Sequence, residues 1–556
     1  MPLEEIEARL TGPGGPFEVV EEEVLGVKMK VFKNRPASLR QILADSAARG
    51  DDEYIVYDGR RISFGQHAES VASVAKAFAE KYGIGHGDRV AILAANCPEW
   101  IISFWATVSL GAVVVGLNGW WKRDEILYGI ESTEPKLLVG DARRLERIAD
   151  DDIGIPIVSI EAGFGELIEY APGAELPDVP IAEDDAAVIL FTSGTTGRPK
   201  GAVNSHRGIV TFVQLLFFHG LRMMLLAIEK GIKPDPDALP NCNLYNAPLF
   251  HLSGLYAGAV GMLASGVKTV WMKGRFDPGE VMSLIEAEKV TAWSPLGNMG
   301  HQLVEHPDLG RYDLSSVRTL GSGGAPVSDD IRRRLMDAFP NAKGSFAIGY
   351  GLSESTGTAT LNFGEFLVEQ PDSVGWPLPT VAIEIRDEQG VALPEGEEGE
   401  IHIRGPIVMV EYWRNSEATA DTIVADRWLR TGDIGRVEGR YLFINSRARD
   451  MILRNAENIY PVEIEQRLEA HPDVAEAAVI GIPHEEWGQE IKAFVVPRSG
   501  ARIDSDELAE FCGEAFANFK VPTQWEIRNE PLPRNATGKV LKNVLSGEAK
   551  SDFIDE

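Results

Sequence analysis

Residues 186–206 read AAVILFTSGTTGRPKGAVNSH. The apolar run from Ala186 to Phe191 has the length and character of a buried strand. It opens into a loop of glycines, hydroxyls and one lysine. Such a loop suits phosphate: Gly194 and Gly197 let backbone N–H groups turn toward an anion, Thr192, Ser193, Thr195 and Thr196 add hydroxyl donors, and Lys200 adds charge. The loop departs from the Walker A pattern, which needs G-x-x-x-x-G-K-[ST]. A generic polar stretch of this composition would read equally well as a surface loop. His206 reads as the start of the following helix rather than as a chemical group.

Outward from this segment the chain alternates helices with short apolar strands. Residues 68–85 have a helical pattern ending in Gly-Ile-Gly, and DRVAILAAN follows as a strand and loop. PEWIISFWATVSLG is an apolar helix, AVVVGLN a buried strand, KRDEILYGIESTE a helix and PKLLVGD a strand. That alternation predicts a mostly parallel sheet in an α/β fold. From Val381 onward, VAIEIRD, GEIHIRG and YLFIN predict a β-rich subdomain, and the chain after SRARD reads as a small α+β unit. Residues 220–246 are expected to form an excursion or lid-like loop after an apolar helix. No fixed-period repeat is present.

The bulk properties narrow the function. A chain of 556 residues can bury several cores and is expected to fold as more than one domain. Its net charge of −30 disfavours nucleic acid and anionic lipid as partners, because both need a basic face. Cys97, Cys242 and Cys512 are far apart, so neither a disulfide framework nor a zinc site is encoded. The acidic N-terminus lacks the features of a signal peptide, which points to the cytoplasm. Gly208 to Leu221 is the most membrane-like stretch, but it is shorter than the roughly 20 residues a bilayer requires. It reads as a core helix, with a lipid-facing or acyl-channel helix as the alternative. Trp120 and Trp121 are expected in the core or at an interface.

Further motifs follow in order: GSGGAP (321–326), IGYGLSEST (348–356), RTGDIG (430–435), SRARD (446–450) and PRNATGKVLK (533–542). Together with the glycine-rich segment they resemble the adenylate-forming superfamily of acyl-CoA synthetases, aryl-CoA ligases, adenylation domains and luciferases. The resemblance covers nearly the whole chain. It implies an N-terminal domain, residues 1–448, of two doubly wound α/β halves plus a β-rich subdomain, and a mobile α+β lid, residues 449–556. It implies ATP, Mg²⁺ and coenzyme A. Gly323, Gly324, Ala325 and Pro326 would contact adenine, Tyr350 would stack on it, and Gly351, Leu352 and Ser353 would belong to the ATP- and AMP-binding site. Thr192 and Glu354 would hold magnesium, Asp433 the ribose hydroxyls and Arg447 ribose and phosphate. Lys539, with Glu354 and Lys200, would be catalytic, and Arg449 would be the hinge.

That chemistry has a physical reason. A carboxylate attacking the α-phosphorus of ATP meets electrostatic repulsion, so the site needs cations and donors aimed at the transition state. A carboxylate and a hydroxyl offer Mg²⁺ hard oxygen ligands, and Asp433 can accept from two vicinal hydroxyls.

The expected acyl pocket, NAPLFHLSGLYAG, TAWSPLGNMGHQL and SGGAP, is apolar and carries no evident counter-charge. His251, Gly297, Gly300 and Gly324 are assigned to it; the plain alternatives are a core histidine and glycines serving a turn or helix packing. A medium-to-long-chain fatty acid is expected, with a sterol side-chain or aryl acid as the alternative. Arg454, Asn455 and Ala456 would line the CoA tunnel, where relatives usually have Gly-Gly in place of Asn-Ala. An enzyme loading a separate carrier protein stays open, although no carrier domain follows the lysine motif. A nucleotide sensor or luciferase-like enzyme is disfavoured by the intact lysine and magnesium motifs. Transient membrane-surface contact and a homodimer are further options.

Overall fold

The computed structural model describes residues 3–192, 198–232, 237–296, 299–323, 329–342, 344–447, 450–454, 457–484, 487–536 and 538–547. The side chains of residues 322–323, 329–330, 446–447 and 457–458 lie outside that description.

Local signals set the elements. Ser63 caps the helix Phe64–Tyr82: its hydroxyl accepts from the Gln66 N–H while the Gln66 side chain returns to the Ser63 N–H at 3.0 Å. Gly83, at φ 63°, ends the helix in the left-handed conformation that glycine adopts without strain. The expected helices and strands on either side of residue 100 occur as Arg89–Leu93, Pro98–Ser109, Val113–Gly116, Arg123–Thr133 and Leu137–Gly140. They belong to a seven-stranded sheet, in the order 411–412, 200–205, 186–192, 113–116, 89–93, 137–140 and 157–159. Its five central and far strands are parallel, and the two pairings at the 411–412 edge are antiparallel.

A nine-stranded sheet forms the second half, parallel through its middle and antiparallel at both ends. The expected β-rich subdomain is a five-stranded sheet built on Ala382–Arg386, Gly399–Arg404 and Trp428–Glu438. A separate five-stranded sheet follows, dominated by the antiparallel pair Val474–His484 and Gly488–Pro497, with the helices Pro461–Glu469 and Ser505–Gly513. It has its own core, including Ile452, Ile464, Val479, Ile491 and Leu508.

The membrane-like stretch is part of a helix longer than expected, His206–Glu229. It is apolar and long enough to cross a membrane, yet residues 206–215 are buried in the fold, which makes it a core helix. The expected excursion at 220–246 therefore needs correction: Leu221–Glu229 is helical and Cys242–Tyr245 is a strand of the nine-stranded sheet. Residues 233–236 lie outside the described set. Arg222, only 1% exposed, lies over the rings of Phe363 at 4.3 Å and Phe218 at 5.1 Å. Its Nη1 reaches Glu7 Oε1 at 2.5 Å, which fastens the helix Leu3–Thr11 to the core helix. Trp121 is buried and Trp120 partly buried against the core.

Candidate active site

The strands Ala186–Thr192 and Lys200–Ser205 form an antiparallel hairpin in which Thr192 and Lys200 are register partners. The first and last members of the phosphate motif thus stand side by side. Ser193, Gly194, Thr195, Thr196 and Gly197 lie outside the described residues. His206 begins the core helix, and its Nδ1 accepts the Leu39 N–H at 3.2 Å. Burial pushes its pKa down to about 4, so this histidine is a neutral core residue.

Asn204 is fully buried on the second hairpin strand. Its Nδ2 donates to the Ser353 carbonyl at 3.0 Å and to Thr356 Oγ1 at 3.1 Å, and its Oδ1 accepts from the Tyr256 hydroxyl at 2.7 Å. A buried amide satisfied in this way fixes position. Here it fastens the turn Ser353–Ser355, which carries Glu354, to the hairpin.

Glu354 meets a residue that sequence reasoning missed. Its Oε1 accepts from the Tyr412 hydroxyl at 2.8 Å, and its carbonyl accepts the Met409 N–H at 2.8 Å. Lys200 Nζ lies 5.2 Å from the ring centroid, and Thr192 is the register partner of Lys200. Tyr412 is carried by the edge strand Glu411–Tyr412, paired with Lys200–Ser205. Burial, with the Glu354 carboxylate beside it, pushes the phenol pKa up and keeps it a proton donor. One ring therefore gathers Lys200 and Glu354. The only signal in the sequence is one tyrosine in EYWRN, which is too generic to single out.

Among the described residues, no group of three or more His, Cys, Asp or Glu side chains gathers to hold a metal. Glu354, bonded to Tyr412, and Thr192, beside Lys200 on the hairpin, are the kind of sparse hard-oxygen set that Mg²⁺ takes together with phosphate and water. The residues present fit that ion.

A second centre joins two sheets. Tyr350 and Asp433 are both buried, and the Tyr350 hydroxyl donates to Asp433 Oδ2 at 2.7 Å. The strand Ala347–Leu352, which includes Gly351 and Leu352, runs parallel to Thr319–Gly323, with Gly323 opposite Gly349. Both strands end on the same edge, where ligands of open α/β sheets bind. Gly324, Ala325 and Pro326 continue beyond the described residues. Arg447 is the register partner of Asp433 on the neighbouring strand.

The expected acyl wall contains a π-helix, Ser253–Val260, a rare form that recurs at functional sites. His251 precedes it, its Nδ1 2.8 Å from Ser253 Oγ, and burial pushes its pKa down to about 4. It is neutral and supplies no positive charge to an acid. Ala247, Leu296 and Met299 cluster with Phe276, while Asn246 is engaged by Trp293 Nε1 at 3.0 Å. Gly300 lies on the short helix Met299–Val304, where a Cβ would come 3.1 Å from Leu335 Cδ1 and 3.6 Å from Pro295 Cγ. That surrounding is helix packing rather than open channel. Gly297 lies outside the described residues.

In the smaller unit, Lys539 follows a tight turn whose Gly538 has φ 79°. Arg454 is buried; its Nη1 donates to the Phe519 carbonyl at 2.7 Å and its guanidinium lies 4.4 Å from the Trp487 ring centroid. These partners commit it to the fold. Its expected place in the CoA tunnel draws no support from these contacts. Arg449, Asn455 and Ala456 lie outside the described residues. The small unit touches the large one through Arg498 Nη1 and Glu305 Oε1, 2.5 Å apart, and through the Tyr460 hydroxyl, which donates to Glu398.

Comparison with known proteins adds independent findings. Residues 43–413 match the AMP-binding enzyme family and residues 463–539 the AMP-binding enzyme C-terminal domain. The chain is 34% identical over 499 residues to a feruloyl-CoA synthase of Amycolatopsis sp., covering 89% of this chain and 95% of the relative. It is 31% identical over 551 residues to a long-chain-fatty-acid–CoA ligase of Bacillus subtilis, covering 92% and 94%. Its fold is similar to ATP-bound MatB from Rhodopseudomonas palustris, with a TM-score of 0.80 at 29% identity, covering 92% of this chain and 98% of that one.

Proposed function

Because the chain belongs to the AMP-binding enzyme family and is an AMP-forming acid–CoA ligase, we propose that it activates an apolar monocarboxylic acid, a medium-to-long-chain fatty acid, and transfers it to coenzyme A. In the first step a carboxylate oxygen bonds to the α-phosphorus of ATP and pyrophosphate leaves, giving acyl-adenylate. In the second the CoA thiol attacks the acyl carbon and AMP leaves. The observation that carries this reading is the convergence of Lys200 and Glu354 on Tyr412, with Thr192 the register partner of Lys200.

Each residue has work in this scheme. Lys200 and Lys539 offset the charge that builds on the phosphates, with no acid–base pair required. Thr192 and Glu354 hold Mg²⁺, which neutralises phosphate charge when bound. Asp433 accepts from the ribose hydroxyls and Tyr350 lies along the adenine. Residues 1–448 form the nucleotide-binding domain and residues 449–556 a lid that turns about Arg449 between the half-reactions. The neutral His251 and the apolar cluster at Ala247, Leu296 and Met299 support an acid without a second charge.

Relatives named for feruloyl and long-chain acids make an aryl acid the second reading of the substrate. The deciding experiment is a panel of aliphatic, aryl and sterol side-chain acids with ATP and CoA, read as AMP release. Turnover confined to aryl acids would replace the fatty-acid reading. AMP release that ignores CoA but responds to a carrier protein would replace the acceptor; the Asn455–Ala456 departure motivates that arm.

A further inference from the structure

Lys539 is reached by a chain segment pinned on both sides. Before it, Arg534 spans two partners: Nη2 donates to Glu476 Oε2 at 2.8 Å and Nη1 to the Gly538 carbonyl at 2.7 Å. After it, Lys542 Nζ stands 2.7 Å from Glu465 Oε1, and that same oxygen accepts the Val479 N–H at 2.8 Å. Glu476 projects from the long strand Val474–His484 and Glu465 from the helix Pro461–Glu469, so each pin runs to a rigid element of the same unit.

The contacts converge on one peptide group. The carbonyl of Gly538 and the N–H of Lys539 belong to the same planar unit. Arg534 holds its oxygen, and Asn535 Oδ1 accepts its N–H at 2.9 Å. Asn535 N–H also donates to the Lys539 carbonyl at 2.9 Å, and Arg534 bridges to Val540 as an antiparallel pair. The backbone from which the Lys539 side chain springs is thus clamped on both faces.

We infer that Arg534, acting through its fork between Glu476 and the Gly538 carbonyl, is a positioning residue that aims Lys539 for the adenylation step. This rests on Lys539 being the adenylation lysine. A lysine is a point charge on a flexible four-carbon stem, so its reach is accurate only if its origin is fixed. Displacement of a catalytic group by about 1 Å can cost roughly a hundredfold in rate. Arginine suits the place because its planar guanidinium serves two acceptors at once, which an ammonium does in no fixed geometry. The pair is largely enclosed, with side-chain exposures of 18% and 11%. An enclosed ion pair is a weak source of stability, so position is the better account of its presence.

The test measures ATP–pyrophosphate exchange and, separately, thioester formation from supplied acyl-adenylate. It uses full-length Arg534→Gln, Arg534→Lys, Lys539→Ala and the double variant Arg534→Gln/Lys539→Ala. Arg534→Gln is expected to slow exchange by roughly thirty- to three-hundredfold while thioester formation changes less than about threefold. Arg534→Lys, which keeps the charge and loses the fork, should fall between. The double variant should be no slower in exchange than Lys539→Ala alone, because a residue acting through the lysine has nothing to aim once it is gone. Equal slowing of both half-reactions by Lys539→Ala overturns the reading of the lysine. A step-selective Lys539→Ala, with Arg534 variants that slow both steps alike, slow neither, or add to the lysine loss, overturns the positioning role. If Arg534→Gln does not fold, Arg534→Lys and its combination with Lys539→Ala decide by the same criteria.

Discussion

Tyr350 donates its hydroxyl to Asp433 Oδ2 across 2.7 Å, and the bond joins the nine-stranded sheet to the β-rich five-stranded one. If the ring lies along adenine and the carboxylate takes the ribose hydroxyls, this one bond sets the angle between base and sugar. Tyr350→Phe keeps the ring and removes the bond. A hydrogen bond to a charged group is worth about 1.5–3 kcal/mol, so the KM for ATP should rise by roughly ten- to a hundredfold. The KM for the acid should hold, as exchange kinetics with each substrate varied in turn would show. An unchanged KM for ATP removes Asp433 from the ribose site.

Tyr412 makes the matching bond to Glu354. Tyr412→Phe leaves the carboxylate without its orienting donor while keeping the ring under Lys200. The Mg²⁺ concentration for half-maximal adenylation should rise about tenfold, and direct binding of Mn²⁺ in the presence of ATP should weaken in parallel. Thioester formation from supplied acyl-adenylate should be spared. A superimposable metal titration would show that Glu354 needs no such support.

Gly300 gives a stability prediction. A side chain there meets Leu335 and Pro295, so Gly300→Leu overpacks the contact between the helices Met299–Val304 and Asp329–Ala338. It should cost about 1–3 kcal/mol, seen as a lower Tm, with activity falling alike for short and long acids. A preference shifted toward short acids at unchanged Tm would restore Gly300 to the acyl channel.

Glu469 ends the helix Pro461–Glu469 among Glu465, Glu476 and Arg534. Burial, then the Glu465 charge, pushes its pKa up from an ordinary 4.5 to about 8. The folded state therefore binds its proton more tightly than the unfolded chain does. That contribution is full below pH 4.5 and is lost as pH rises through about 8. Glu469→Gln should raise Tm above pH 8 and leave it nearly unchanged toward pH 4.5. A Tm difference that does not vary with pH would mean that the carboxyl keeps an ordinary pKa.

The sequence foreshadows the architecture well where one signal dominates. Strands such as Arg89–Leu93 and Val113–Gly116 are short apolar runs between helices, and the C-terminal unit alternates cleanly. It misleads at Leu221–Glu229, where the prolines and aspartates after residue 232 suggest a loop but the helix packs long enough to continue for two more turns. The π-helix at Ser253–Val260 has no periodicity that separates it from an α-helix. In the candidate site, ordered motifs single out Thr192, Lys200, Tyr350, Glu354 and Asp433 as candidates. Tyr412, Asn204 and Arg534 stay invisible because their roles come from partners 58, 149 and 58 residues away, a pairing no local pattern encodes.

The buried bond between Arg222 and Glu7 also has a temporal side. Its partners are 215 residues apart. At about 5–20 residues per second, a ribosome adds that much chain in roughly ten to forty seconds. Throughout that interval the helix Leu3–Thr11, with Leu3, Ile6 and Leu10 on its inner face, has no finished core to join. A nine-residue helix is marginal by itself in water. These residues therefore leave the ribosome well before Arg222, the partner that fastens them to the core helix.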